Sequence, residues 1–165
     1  MSGGEEDFVV TGKVDEKTCL VMKDELSLFP FLEEKDLTEV PCYFHRRQVK
    51  AGELLYSEGD SCDYLAYIIE GSLEIKKKTE FADKRFILGI YGQGSIVGEL
   101  CILDQVPRVV TAVAKEDTTL VVLTQENFEK MLDECPELGV KFLKGLFLAV
   151  SIRLRKNFDR MASIF

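Results

Sequence analysis

The chain is short of positive charge and of histidine. Its 165 residues carry 21 Lys and Arg against 29 Asp and Glu, a formal net charge of −8. A nucleic-acid backbone rewards clustered Lys and Arg, so an acidic chain is a poor grip for a nucleic acid polymer. Lys76-Lys77-Lys78 is a short basic run and reads as the solvated end of a strand. His45 is the only histidine, which nearly excludes a histidine-built metal centre. The five cysteines, Cys19, Cys42, Cys62, Cys101 and Cys135, are scattered, odd in number and without a CxxC pair. Neither a disulfide framework nor a zinc site is expected, and the compartment reads as a reducing cytoplasm. Leu146 to Ile152, the longest apolar run, falls short of the ~20 residues that span a bilayer, so no membrane contact is expected. Met1 to Asp7 is small and acidic, unlike the basic start and apolar run of a signal peptide.

What the chain does have suits one domain with a real core. It is 46% hydrophobic and 30% charged. Residues 1–17 are polar and read as a flexible tail. Residues 18–41 read as N-terminal helices, with Leu20, Val21, Leu26 and Leu28 at helical spacing and a second short helix from Leu32 to Val40. From 42 to 124 the pattern changes to short apolar runs cut by turn residues: Leu54 to Tyr56, Tyr64 to Ile69, Leu73 to Ile75, Phe86 to Tyr91 and Thr118 to Leu123. Such spacing predicts a sandwich or a small barrel. From 125 to 165 the period is helical again. Thr124 is the expected N-cap of a helix from Gln125 to Asp133. Pro136 opens a long helix to about Met161. Its near-heptad apolar steps leave two readings open, a lid on the barrel or a helix paired with a second copy.

Between Gly94 and Thr111 lie the parts of an anion site. Gly98 and Glu99 stand nine residues before Arg108, with an apolar short-helix candidate and Pro107 between them. A carboxylate accepts hydrogen bonds from sugar hydroxyls, and a guanidinium holds a phosphate through two parallel bonds. Amides at the start of a short helix favour an anion too. The set fits a small sugar phosphate. No nucleophile with a neighbouring base and no metal set is visible, so no enzyme is expected. Cys101 reads as a small core filler beside that helix start.

The strand-rich block resembles the cyclic nucleotide-binding domain family, over roughly Leu20 to Arg155. One motif is Ala51-Gly52-Glu53, Glu58-Gly59-Asp60, Asp63, Tyr67-Ile68-Ile69 and Gly71-Ser72-Leu73. The other is Val97-Gly98-Glu99-Leu100 with Pro107-Arg108, similar to the family's phosphate-binding cassette. The resemblance implies a mainly β fold: a double-stranded β-helix, or jelly-roll-like β-roll, with short N-terminal helices and a long C-terminal one. It implies that Glu99 accepts from the ribose 2′-hydroxyl and Arg108 pairs with the cyclic phosphate. Gly98 lets the main chain approach the sugar, and the N–H groups of Leu100, Cys101 and Val109 complete the cradle.

Val109 departs from the family, which usually has Ala, Ser or Thr there. The missing hydroxyl tilts the expected ligand to cAMP over cGMP. The matching zone of the long helix, Ala149 to Leu154, offers Ser151 and Arg153 as polar groups, and Arg153 is the expected purine contact. The ligand is thus the one small-molecule partner implied, with no cofactor. A homodimer through the C-terminal helix and a protein effector are the further expected partners. The family's transcription factors continue into a helix-turn-helix; the chain reaches Phe165 without one, so no operator binding is expected. The competing readings are a ligand-free, dimeric interaction scaffold and, more remotely, a metal-dependent enzyme on the same barrel.

Overall fold

The computed structural model describes residues 12–15, 17–19, 30–79, 85–103 and 105–163. Residues 1–11 and 16 of the expected tail and all of Leu20–Leu28 lie outside them; Gly12 and Lys13, read as tail from the sequence, pair as a short strand with Arg46 and His45. Among the described residues nine strands form two antiparallel sheets. One contains β1 (Gly12–Lys13), β2 (His45–Val49), β9 (Thr118–Thr124), β4 (Tyr64–Glu70) and β7 (Ile96–Val97), in that order. The other contains β3 (Leu54–Tyr56), β8 (Thr111–Ala114), β5 (Ser72–Lys78) and β6 (Arg85–Gly92). The sheets face each other as an open β-roll, as the resemblance implied. Two helices follow, α1 (Gln125–Glu134) and α2 (Pro136–Ala162).

The central strands explain why their sequences read as unbroken apolar runs. Successive side chains of a strand point to opposite faces. In β4, Ala66 and Ile68 face the interior between the sheets, with Leu73, Ile75, Leu120 and Val122. Leu65 and Tyr67 face the other way, into a core with Phe44, Val121, Leu123, Phe128 and Phe142. Both faces of β4 and β9 are buried, so both parities are apolar. Only one parity of β5 is apolar: Leu73 and Ile75 go inward and Lys76 to Lys78 stay toward solvent.

Turn and cap chemistry closes the elements. Gly71, at φ 87°, joins β4 to β5 so tightly that a Cβ would sit 2.8 Å from Thr118 Cα. Thr124 caps α1, its hydroxyl accepting from the Asn127 N–H at 3.2 Å. Two 3₁₀ turns, Glu34–Thr38 and Val40–Cys42, replace the short helix expected at Leu32–Val40. Proline at 41 supplies no N–H to a longer helical ladder. Lys141 of α2 binds the Asp36 carboxylate at 2.9 Å, with Glu33 and Glu137 within 3.4 Å. That cluster fixes the first 3₁₀ turn to the start of α2.

The first half of α2 docks through Leu138, Phe142 and Leu146. The Phe142 ring meets Phe44, Phe128 and Tyr67 at centroid distances of 5.9, 5.8 and 6.4 Å. It bonds helix to roll and helix to helix at once. Phe142→Ala should lower unfolding free energy by about 3–5 kcal/mol, the usual cost of an aromatic cavity. Urea denaturation checks it, and a loss below ~1 kcal/mol would contradict this packing.

Candidate functional site

The expected glycine–acid pair sits where β7 leaves its sheet. Gly98 has φ 78°, and a 3₁₀ turn, Glu99–Cys101, follows. A Cβ at position 98 would fall against Nη1 of Arg108 and lie 3.0 Å from the Tyr64 carbonyl oxygen. Glycine is required there twice over, by conformation and by space.

Arg108 is buried, its side chain only 1% exposed. Its guanidinium donates from Nη1 to the Tyr64 carbonyl at 2.8 Å, and Nη2 lies 3.7 Å from Asp63 Oδ1. It sits in the corner of two rings set edge to face, 4.2 Å from the Tyr56 centroid and 4.4 Å from that of Tyr64, the centroids being 6.4 Å apart. Burial pushes the hydroxyl pKa of both tyrosines upward, with the arginine charge opposing it. They stay neutral and present π faces rather than counter-charges. The arginine's own backbone is clipped to a turn in the first motif: Gly59 N–H donates to the Arg108 carbonyl at 2.8 Å, and Arg108 N–H to the Asp60 carbonyl at 2.9 Å. The two motifs are therefore one structure.

Glu99 is buried as well, its side chain 4% exposed. It does not pair with Arg108. Its carboxylate takes a hydrogen bond from Nη1 of Arg153 on α2, and Nη2 of Arg153 donates to the Ile96 carbonyl at 2.5 Å. The Arg153 guanidinium also lies over Tyr91 of β6, 4.9 Å from its centroid. Burial raises the Glu99 pKa. The charges of Arg153 and, more weakly, Arg108 pull it back down.

Glu99 and Arg108 line one open cavity of about 290 Å³. Gly98, Leu100 and Val109 contribute to its mouth, and Val150, Arg153, Leu154 and Asn157 form its wall on α2. Gly98, Glu99, Leu100, Arg108, Val109 and Arg153 all line the cavity, and the backbone of Cys101 belongs to the 3₁₀ turn beside it. Ser151 does not line it. Among the described residues, the Val109 N–H donates to no protein acceptor, while its carbonyl accepts from Lys77 Nζ at 2.7 Å. Sequence reasoning did not reach Tyr56, Tyr64, Tyr91 or Asn157. The tyrosines carry a faint signal, since each lies on a strand bordering the site, but nothing in the sequence pairs them with an arginine. Cys62 departs from expectation: it is disulfide-bonded, whereas Cys19, Cys42 and Cys135 are in no disulfide. Its sulfur lies 3.9 Å from the Gly98 carbonyl.

The family model of the cyclic nucleotide-binding domain matches residues 46–135, more than half of the chain. The chain belongs to that family. It is similar to a crystal structure of a cyclic nucleotide-binding domain from Methylobacillus flagellatus (TM-score 0.86, 24% identity, covering 99% of this chain and 93% of that one). It is 28% identical over 109 residues to the cyclic AMP receptor protein of Thermus thermophilus, covering 66% of this chain and 50% of the receptor. It is 33% identical over 97 residues to a lysophospholipase of Phaeosphaeria nodorum, covering 59% of this chain and 6% of that protein. The chain thus spans at most about half the length of these two relatives. Among the described residues no helix is long and apolar enough to cross a membrane.

Gly98→Ala should cost about 1–3 kcal/mol of folding free energy, because a left-handed backbone and a close contact are strained together. Thermal unfolding checks it; an unchanged midpoint would mean the cassette backbone can relax.

Proposed function

We propose that this chain is a non-catalytic sensor of a cyclic mononucleotide, cAMP in preference to cGMP. The observation that carries the reading is the convergence of Glu99 and Arg108 on one cavity. In this reading Arg108 meets the cyclic phosphate and Glu99 accepts from the ribose 2′-hydroxyl. The N–H groups of Leu100, Cys101 and Val109 complete the phosphate cradle, and Gly98 admits the sugar. Arg108 is packed against two tyrosine rings and bonded to the Tyr64 carbonyl, which holds the cation in place and lowers the cost of ordering it on binding. Val109 offers no hydroxyl to the ligand, which favours adenine over guanine. Arg153 and its neighbours on α2 border the space left for the base. The ligand biases α2 towards its docked position, and the helix reports to an effector. A cytoplasmic location belongs to this reading, although a disulfide at Cys62 runs against a strongly reducing compartment.

Calorimetric titration with cAMP and cGMP tests it. Arg108→Ala should weaken cAMP binding by about 2–5 kcal/mol, since it deletes one side of a buried charge pair. Arg108→Lys controls for folding, because it keeps the charge and loses the planar fork. Absence of heat with wild-type protein at millimolar nucleotide would end the reading.

A second reading has its own support. Val140, Phe147, Leu154 and Met161 recur at seven-residue steps along α2, each half or more exposed. That is the seam of a paired helix, so the chain forms a homodimer through α2, with or without a ligand. Light scattering should give twice the chain mass, and Phe147→Glu should halve it. A monomeric wild type removes the dimer from either reading.

A further inference from the structure

The backbone at Val109, the last amide of the proposed phosphate cradle, is held from outside the cavity. Two peptide planes meet at this residue. The carbonyl of the first belongs to Arg108 and accepts from the Gly59 N–H at 2.8 Å. The carbonyl of the second belongs to Val109 and accepts from Lys77 Nζ of β5 at 2.7 Å. In a planar trans peptide the N–H lies on the edge opposite the carbonyl. Fixing the Arg108 carbonyl therefore fixes the direction of the Val109 N–H. Fixing the Val109 carbonyl keeps the following plane from turning.

The lysine is itself anchored. Glu58, in the turn between β3 and β4, accepts from Lys77 Nζ at 2.6 Å through one carboxylate oxygen. Through the other it accepts from the Lys78 backbone N–H at 3.0 Å. The lysine first, and then that N–H, hold the Glu58 carboxyl below the ordinary carboxylate range, so it is ionised at neutral pH. The Glu58 N–H in turn donates to the Thr111 hydroxyl at 3.0 Å, at the start of β8. The turn thus grips the segment after Pro107 through Gly59 and Asp60 on Arg108 and through Glu58 on Thr111. Lys77 adds a further hold at Val109 itself.

The basic run on β5 is therefore not uniform. Lys76 pairs with Glu74 of its own strand at 2.6 Å. Lys77 has the parity of Leu73 and Ile75, one step beyond the core, where the inward face of β5 opens to solvent. Its side chain is 39% exposed and that of Glu58 20%. An ion pair this wet adds little to folding. Its effect is directional: an ammonium carries donors and no acceptor, and two of those donors are committed, one to the turn and one to the cassette backbone. Resting on the sensor reading above, we propose that Lys77 is a positioning residue for the phosphate cradle: from β5, with Glu58 as its anchor, it holds the Val109 carbonyl so that the Val109 N–H is presented to the ligand phosphate. Lys77 does not line the cavity, so it acts through the backbone and not by touching the ligand.

The charge of the lysine alone also favours an anion, and salt separates that effect from positioning. The Debye length falls from about 10 Å at 0.1 M to about 3 Å at 1 M ionic strength. Attraction between an exposed ammonium and a phosphate beyond the cavity wall is screened over that range. A direct hydrogen bond that sets the orientation of a peptide plane is not.

Two measurements decide it. In ligand-free protein, nitrogen-15 relaxation should give Val109 and Val110 amides near the order parameter of rigid backbone, about 0.85, and in Lys77→Met a fall towards the ~0.6 of mobile backbone, with β8 unchanged. Lys77→Arg, which keeps a charged donor, should restore the wild-type values. In calorimetric titration, Lys77→Met should weaken cAMP binding about fivefold at 0.1 M salt, the worth of one net hydrogen bond, and the same ratio to wild type should remain at 1 M. Lys77→Arg should bind within about twofold of wild type, and Glu58→Gln, which loosens the anchor and leaves Lys77 in place, should show part of the loss. Unchanged order parameters at Val109 in Lys77→Met, unchanged affinity, or a loss that vanishes at 1 M salt would each overturn the assignment. A wild type that binds no nucleotide sinks the sensor reading instead, and the ligand-free relaxation still decides whether Lys77 holds the Val109 backbone.

Discussion

A guanidinium keeps its proton in any protein environment, so a chain that buries one must build around it. Arg108 is that group here, and much of the domain can be read as its enclosure. Tyr56 and Tyr64 form a corner of two rings against it. The Tyr64 carbonyl takes one of its donors, and Asp63 stands near another. Position 98 must lack a Cβ because Nη1 lies against it. The Glu58-Gly59-Asp60 turn must hold the Arg108 backbone at both its N–H and its carbonyl. Each demand falls on a different strand or turn, from β3 to β8. Satisfying the charge therefore brings the two sheets to a fixed separation and fixes the cassette between them.

That enclosure also decides how much of the site was legible beforehand. Gly98, Glu99 and Arg108 stand out in the sequence because their chemistry is unusual for an apolar segment. The runs of β4 and β9 are legible because burial on both faces leaves them apolar throughout. β2, His45-Arg46-Arg47-Gln48-Val49, has no such pattern. It becomes a strand because β9 offers it five residues of backbone pairing, a tertiary reward that outweighs its polar composition. β8 and β7 are short and escape notice for the same reason. Their pairing to β5, β3 and β4 exists only once the roll has closed. The partner of Glu99 was beyond reach of spacing. A count along the helix marks Arg153 as facing the site, but which acceptor it takes depends on the angle at which α2 leaves the Phe142 core.

Polar contacts of unequal burial then divide the labour. Arg108 sits deep, its side chain held by the Tyr64 carbonyl and two tyrosine rings. Arg153 is about a quarter exposed. Its pair with Glu99 joins a buried acid to a half-wet cation, so losing it leaves Glu99 buried and uncompensated, while the arginine can turn to water. The cost is one-sided. It falls on the cassette, where a ligand would bind, and not on the helix that leaves.

This asymmetry sets what a ligand can do. The proximal half of α2 is anchored by Leu138, Phe142 and Leu146, and opening it would expose a core. The distal half has Arg153 and the edges of Val150, Leu154 and Asn157, and is largely exposed from Leu154 on. Segments with few buried contacts are the ones that open locally at small cost. A ligand shifts an equilibrium only by the difference in its affinity for the two states, and about 1.4 kcal/mol moves the ratio tenfold. One hydrogen bond to a charged group, made in the docked state and lost in the released one, is of that size. On the proposed reading, a bond from one sugar hydroxyl to Glu99 would be of the size that moves the distal helix, whereas the proximal half is far too well packed to answer to it.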